Sequence, residues 1–431
     1  MVVEKKALIV LIILFVYKSS SLFAQQTDSL ANKFLVDLEI RPRIELNYNF
    51  NQQPSDTLAP YFFITQRNRL SASYNIKNDW KFTAELQEIH EWDKYNSSSR
   101  VANINFYQLF FEYRVKNLKF RIGRQGVLID NGRIFSNAPW AQQSRAHEGV
   151  RITEQSKNHS QDLYLLFTRN YGDVFDPSFS PVAAHKYKYL FVHHFNHLPI
   201  GHFAFNTTNS FELLESQNSL STRLRVTTGG RIELKKENFY ATLNGYYQFG
   251  RNQQDKNINA YYLQSEISFN ILKSTIRVGT EIMSGDRWDL SSNQSNSFDI
   301  KYGVAWRFMG NMNIFSSFPK DLDNRGLINP YLSASVPIND KITLRSDFHL
   351  FYSQYLLKNE IDNASDNYLG FENDLSIKYR INQQMELNYG FSYFSSSSAM
   401  AFLPKIDNVD KIAIWNYLMF SYRINIIRSK R

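Results

Sequence analysis

No cysteine occurs anywhere in the 431 residues. That absence excludes disulfides, thiolate metal sites and the lipid-modified cysteine of a bacterial lipoprotein. Glycine and proline are also scarce, at 17 and 11 residues. A helix that crosses the roughly 30 Å hydrocarbon core of a bilayer needs about 20 apolar residues. The longest apolar run, Ala7 to Tyr17, falls well short of that. With Lys5 and Lys6 before it, Lys18 after it and Leu22-Phe23-Ala24 ahead of Gln25-Gln26, the run has the layout of a secretory signal cut after Ala24. Residues 1–24 are therefore expected to be a signal peptide and 25–431 to form one domain. The net charge of +9 is a modest excess of base that says little without its placement.

Aromatic residues are abundant, with 26 tyrosines and 34 phenylalanines making up most of a 15% aromatic content. They fall in a two-residue alternation. From Asn103 to Lys116 the odd positions hold Tyr107, Leu109, Phe111, Tyr113 and Val115, and the even ones Gln108, Glu112, Arg114 and Lys116. Period two is the signature of a strand. Breaking the chain at polar clusters gives connections that alternate short with long, the long ones near 51–60, 92–102, 126–147, 171–186, 213–219, 250–257, 285–327, 358–366 and 396–410. The short ones include Lys77 to Asp79, Lys116-Asn117, Asn196 to Pro199 and Asn339-Asp340. A soluble sandwich has no reason for that asymmetry. A transmembrane antiparallel β-barrel of about eighteen strands does, because its periplasmic turns are short and its extracellular loops long.

Faces follow from the alternation, since a slip of one residue would put charge into lipid. In the first strand Leu38, Ile40, Ile44 and Leu46 face out, leaving Glu39, Arg41, Arg43 and Glu45 inside. Arg67 and Arg69 fall inside behind Phe62, Ile64, Leu70 and Tyr74. The same rule sends Lys119, Arg121, Arg223, Arg225, Arg231, Arg345 and Asp347 inward. In the last strand Ile412, Ile414, Leu418, Phe420, Tyr422, Ile424 and Ile426 form an outer row, a terminal strand of the kind that barrel assembly machinery recognises, here followed by the basic tail Arg428 to Arg431. Some inward arginines have an acid two or four positions away, as in Glu39/Arg41, Glu112/Arg114, Arg277/Glu281 and Arg345/Asp347, and these suit wall-stiffening pairs. Arg67, Arg69, Arg223 and Arg225 have none, which makes them the preferred pore cations unless a carboxylate reaches them from an adjacent strand.

The stretch Arg121-Ile122-Gly123-Arg124-Gln125, then Asp130-Asn131-Gly132-Arg133, Trp140, Arg145 and Glu148-Gly149-Val150-Arg151-Ile152, resembles the alginate-export family of outer-membrane porins. Tyr246-Tyr247-Gln248-Phe249-Gly250 and Ser284-Gly285-Asp286 are similar short words in the same order. The resemblance implies an arginine-lined, loop-gated channel through which an anionic uronate polysaccharide leaves the periplasm. It also implies that Arg121, Arg124, Arg133, Arg145 and Arg151 are pore or loop arginines and that Asp130 and Asp286 hold loop geometry. The chain departs from the family after Asp286, where Arg287-Trp288-Asp289 and a serine/asparagine tract replace a Pro/Gly-rich continuation.

A persistent, bidentate cation suits a polymer with one carboxylate per sugar, and several weak sites in series let the chain both enter and leave. The expected pore set is Arg67, Arg69, Arg114, Arg121, Arg124, Arg133, Arg145, Arg151, Arg223, Arg225 and Arg345, with Asp130 and Asp286. A diffusion porin for small solutes is the alternative. Two further chemistries find little support. His193, His194, His197 and His202 match no ligand spacing, and Asp286, Asp289 and Asp299 lack the dense pattern of a calcium loop. No serine sits beside a histidine on one strand face as a lipid hydrolase would need, so no enzymatic activity, cofactor or metal is expected. The expected surroundings are the outer membrane of a Gram-negative bacterium with its lipopolysaccharide, and an anionic polysaccharide as cargo. No nucleic-acid partner is expected, and the barrel is taken to be a monomer.

Overall fold

The computed structural model describes residues 33–48, 59–76, 79–92, 103–168, 187–216, 221–288, 293–300, 302–315, 317–358, 365–403 and 409–428. The expected signal peptide and the basic tail beyond Arg428 lie outside the described residues. The strands run in chain order as β1 (Lys33–Tyr48), β2 (Tyr61–Ile76), β3 (Trp80–Glu91), β4 (Asn103–Val115), β5 (Leu118–Gln125) and β6 (His147–Gln155). Next come β7 (His159–Phe167), β8 (Tyr187–Ile200), β9 (Phe203–Glu215), β10 (Thr222–Lys236), β11 (Phe239–Arg251) and β12 (Asn257–Ile271). The circuit is completed by β13 (Ser274–Met283), β14 (Leu327–Pro337), β15 (Ile342–Lys358), β16 (Ser365–Arg380), β17 (Met385–Ser396) and β18 (Ile412–Arg428). Each strand pairs antiparallel with its sequence neighbours, and β1 closes the ring by pairing with both β2 and β18. A two-residue segment, Gln294–Ser295, lies parallel to the start of β12 and belongs to a loop. The architecture is thus an eighteen-stranded closed antiparallel barrel. Closure removes the unpaired strand edges that hydrocarbon would not tolerate.

The outer wall is apolar, as a lipid-facing surface requires. Ile44, Leu46, Phe62, Leu70, Ile122, Leu224, Ile232, Phe348, Leu418 and Ile426 all project freely from it. Their in-turned neighbours Arg41, Arg67, Arg225 and Asp347 are buried inside. One departure comes in β4, where the register with β3 slips between Glu85 and Leu86. The resulting bulge turns Tyr107 into the lumen, against Arg69 at 4.2 Å, while Phe106 takes the lipid side. A bulge adds one residue to one strand and so reverses the facing of the residues beyond it. The turn expected at Asn196 to Pro199 is also displaced, because β8 continues to Ile200 and reverses at Gly201-His202.

Two long connections fold inward instead of standing above the rim. The segment 126–146 and the segment 284–326 meet inside the barrel, where Val127, Ile129, Phe135, Phe298, Tyr302, Met309 and Phe315 are all buried. They pack on an apolar patch of the inner wall made by Tyr164, Leu190, Val192, Tyr262, Phe351, Phe394, Trp415 and Tyr417. These wall residues occupy the loop-side halves of their strands. Charged wall residues flank the patch on the loop side as well, among them Arg43, Glu45, Glu212, Arg225 and Glu281, and others line the half near the short turns.

Candidate functional site: the inner wall and its folded-in loops

Arginines on the wall of β1 and β2 clamp the first inward loop by its backbone. Arg41 donates to the carbonyls of Pro139 (3.0 Å), Trp140 (3.0 Å) and Ala141 (2.7 Å). Arg67 donates to Ala141 O at 2.9 Å and is ion-paired with Glu39. Arg69 reaches Gln87 Oε1 at 2.8 Å and Ser144 Oγ at 2.6 Å, with Glu85 at 3.4 Å. A guanidinium carries five donors in a fixed fork, so one side chain can hold several carbonyls that a folded-in loop would otherwise leave unsatisfied.

The loop returns the contact elsewhere on the wall. Arg133 is buried with its fork on Glu281 at 2.6 and 2.9 Å and donates to Val304 O at 2.8 Å, so it ties the first loop to β13 and to the second loop at once. Arg145 donates to Gly303 O at 2.6 Å, and desolvation by burial lowers its pKa below the ordinary guanidinium value. Asp130 accepts from Arg231 Nε at 2.9 Å and from Asn206 Nδ2 at 2.9 Å, which fixes the loop tip to β9 and β10.

The second loop is docked by residues of Tyr246–Gly250 and Ser284–Asp286. Gln248 forms a two-way bond with the backbone of Asp299, donating at 2.9 Å and accepting at 3.0 Å. Ser284 Oγ donates to Asn296 O at 2.6 Å, Asp286 accepts from Asn296 N–H at 2.5 Å, and Gly285 N–H donates to Gln354 at 2.8 Å. An added Cβ at Gly285 would lie 2.1 Å from the Arg325 carbonyl carbon, so only glycine lets the two ends of the loop approach. Burial raises the Asp286 pKa above the usual carboxylate value. Farther along, Glu372 accepts from Met312 N–H at 2.7 Å and Asp374 from Asn311 N–H at 3.0 Å.

The arginines that have no acid two positions along their strand nonetheless have carboxylate partners. Arg67 pairs with Glu39, Arg69 with Glu85, Arg223 with Asp255, and Arg225 with both Glu212 (2.8 Å from Nη2) and Asp299 (3.0 Å). Conversely, three of the four pairs expected along a strand do not form. Glu39 serves Arg67 and Arg423, Glu112 serves Arg121 at 2.7 Å, and Glu281 serves Arg133, while only Arg345 and Asp347 pair as expected at 2.7 Å. Both kinds of partner lie within reach of a long side chain, since residues two apart on a strand are separated by roughly 6.6 Å of rise and cross-strand neighbours by about 4.5–5.5 Å between Cβ atoms; Arg43–Glu45 and Arg231–Glu233 pair along a strand at 2.6 and 2.7 Å. Arg151 likewise bonds Asp162 at 2.8 Å on β7.

Arg124 requires a correction. It follows Arg121 by three positions and so stands on the lipid side of the wall, opposite the exposed Leu109, where it pairs with Glu148 at 2.7 Å near the loop-side rim. A residue an odd number of steps from an inward one faces outward.

The inward cations that no carboxylate reaches are a different set. Among the described residues the inward cations without an ion pair include Lys81, Arg114, Lys119, Arg277 and Arg307, besides Arg41 and Arg145, whose guanidiniums are taken up by loop carbonyls. Lys81, Arg114 and Lys119 cluster near the short-turn ends of β3 to β5, where Arg114 stands opposite Lys119 and Lys81 opposite Glu112. Arg307 descends from the second loop and donates to Asn131 O at 3.0 Å. Desolvation inside the barrel, and after it repulsion from Arg277, Arg345 and Arg231, lowers its pKa below the ordinary value. Of the cations without an ion pair, the expected set held Arg114 and Arg145. Arg307 lies in a loop where alternation carries no facing information, which is why sequence reasoning missed it.

The histidines do not converge. His193 faces Gln161 at 3.2 Å, His194 faces Thr208 at 2.9 Å, and His197 stacks on Phe205. Of the three loop aspartates considered for calcium, Asp299 is engaged by Arg225, Asp286 by the loop backbone, and Asp289 lies outside the described residues.

A closed barrel with an apolar belt, a charged lumen and loops folded into it defines an outer-membrane channel of the porin type. Solved structures with this fold include OpdL of Pseudomonas aeruginosa (TM-score 0.63, 10% identity, 91% of this chain and 99% of that one). A BenF-like porin from Pseudomonas fluorescens (0.62, 10%, 91% and 99%) and OccK2 of Pseudomonas aeruginosa in complex with glucuronate (0.61, 11%, 91% and 97%) are similar. Comparison with curated protein sequences finds none that matches. The chain belongs to the alginate export family, whose model matches residues 34–400.

Proposed function

We propose that the barrel conducts an anionic, uronate-type polysaccharide or oligosaccharide across the outer membrane by passive passage, without catalysis. The observation that carries this reading is a group of lumen-facing cations that make no ion pair among the described residues, Lys81, Arg114, Lys119, Arg277 and Arg307. Paired arginines present little net field, because the carboxylate cancels the guanidinium within a few ångströms, whereas unpaired ones attract and briefly hold a passing carboxylate. Family membership supports the same cargo. So does the solved OccK2 barrel, a protein of the same fold captured with glucuronate. On this reading Arg121, Arg151 and Arg345, which are partly exposed beside their partners, form a secondary lining, while the buried Arg67, Arg133 and Arg225 hold the loops in place. The barrel reinserted in a planar bilayer tests this. Anions should carry most of the current and uronate oligomers should block it, whereas equal anion and cation currents without block would leave a general diffusion porin as the function.

A further inference from the structure

The function proposed above needs fixed charge, yet the two folded-in loops also bring together aromatic faces that charge alone does not require. Trp140 of the first loop and Trp306 of the second meet with ring centroids 5.6 Å apart, and neither is fully buried. Trp140 rests edge-on against Trp415 and Tyr417 of β18 at 5.6 and 5.5 Å, so the pair is backed by wall residues with no room to retreat. The Arg43 guanidinium lies over the Trp140 ring at 4.6 Å, with Nε held by Glu45 at 2.6 Å and Nη1 left without a hydrogen-bond partner. Among the described residues the Trp306 indole N–H is likewise without a partner. A buried donor left without an acceptor is costly, so two of them bordering one aromatic surface suit a ligand whose oxygens complete the bonding.

We propose that Trp140 and Trp306 form a stacking subsite for one pyranose ring of the passing polymer, with the Arg43 Nη1 and Trp306 N–H donors meeting its oxygens. A pyranose presents C–H bonds on one face and oxygens around its edge. The electron-rich face of an indole attracts the first, and the unmade donors suit the second. Because the two tryptophans come from different loops, the subsite exists only while both loops are docked. Arg41, through the Pro139 and Trp140 carbonyls, and Arg145, through Gly303, set the spacing of the rings. The subsite rests on the polysaccharide reading, which it sharpens by adding recognition of a sugar ring to recognition of its charge.

Single-channel recording with two blockers of matched charge, a uronate oligomer and an oligoglutamate, tests it. Trp306→Ala should shorten the uronate residence time about tenfold and leave the oligoglutamate residence and the open conductance unchanged, while Trp306→Phe, which keeps an aromatic face, should restore most of the uronate residence. Heat-resistant migration on gels shows that each variant has formed its barrel. An equal effect on both blockers, or none on the uronate, overturns the subsite. A wild-type channel that favours anions yet holds uronate no longer than oligoglutamate overturns the subsite alone. A channel without anion preference overturns the polysaccharide reading with it.

Discussion

At the residue scale, an inward arginine has one of two tasks, and burial with pairing decides which. Arg133 and Glu281 are both almost fully buried and meet fork to fork. Removing one partner from such a pair costs about 3–5 kcal/mol, because the other charge is left desolvated, while replacing both with apolar groups is often neutral. Glu281→Gln is therefore expected to lower the urea midpoint of the detergent-folded barrel and expose the 126–146 segment to protease, whereas Arg133→Met with Glu281→Met should lose less, its remaining cost coming from the Val304 carbonyl and the Tyr262 hydroxyl left without these partners. Arg124 makes a contrasting case. Its ion pair is on the outer rim, so Arg124→Gln should leave ion selectivity unchanged in a bilayer recording. The alternation alone was enough to show this, since Arg124 and Arg121 differ in parity. Ion-pair identity was not legible in the same way. Which carboxylate meets Arg67 or Arg225 depends on strand register and stagger, and these emerge only when β1 is set against β2 and β9 against β10.

At the scale of elements, the eighteen strands and the rhythm of their connections were legible because lipid enforces a strict two-residue period on every segment. The inward folding of the two loops was not, although it left a trace. Ala413, Trp415, Tyr417 and Met419 form the inner row of β18 and are buried, and Leu190 and Val192 do the same in β8. Apolar residues on the lumen side have no use in a water-filled pore, and they mark where a loop packs down. The clamp on the first loop depends on guanidinium-to-carbonyl bonds from Arg41 and Arg67. Arg41→Ala with Arg67→Ala should detach residues 139–142, read as new cleavage there by limited proteolysis and as added current noise, with the barrel still heat-resistant. If the segment stays protected, the apolar contacts beneath it are sufficient on their own. Glycine sets a similar condition in the second loop. Gly310 has φ +79°, and a Cβ there would lie 2.2 Å from Glu372 Oε1, so Gly310→Ala should displace the backbone that Glu372 and Asp374 hold.

For the whole molecule, the decisive quantity is the net field along the lumen, and pairing redistributes where that field comes from. Arg67, Arg69, Arg223 and Arg225 each face a carboxylate, and removing such a guanidinium uncovers a negative charge in the wall. Arg114, Arg277 and Arg307 make no ion pair among the described residues. Replacing these three with glutamine should lower the anion-to-cation permeability ratio several-fold with no loss of heat resistance, because no buried pair is broken. Replacing the four paired arginines should lower it as well, but together with loosened loops and a less stable barrel. The two sets can therefore be told apart by stability when selectivity moves in both. Salt supplies a further discriminator, since screening acts over a Debye length of about 10 Å at 0.1 M and about 3 Å at 1 M. Selectivity that comes from exposed, unpaired cations should decline steeply between those concentrations in the wild type and be nearly flat in the triple-glutamine variant. A ratio that is insensitive to salt in both proteins would mean that selection arises from the packed loops and not from the charge on the wall.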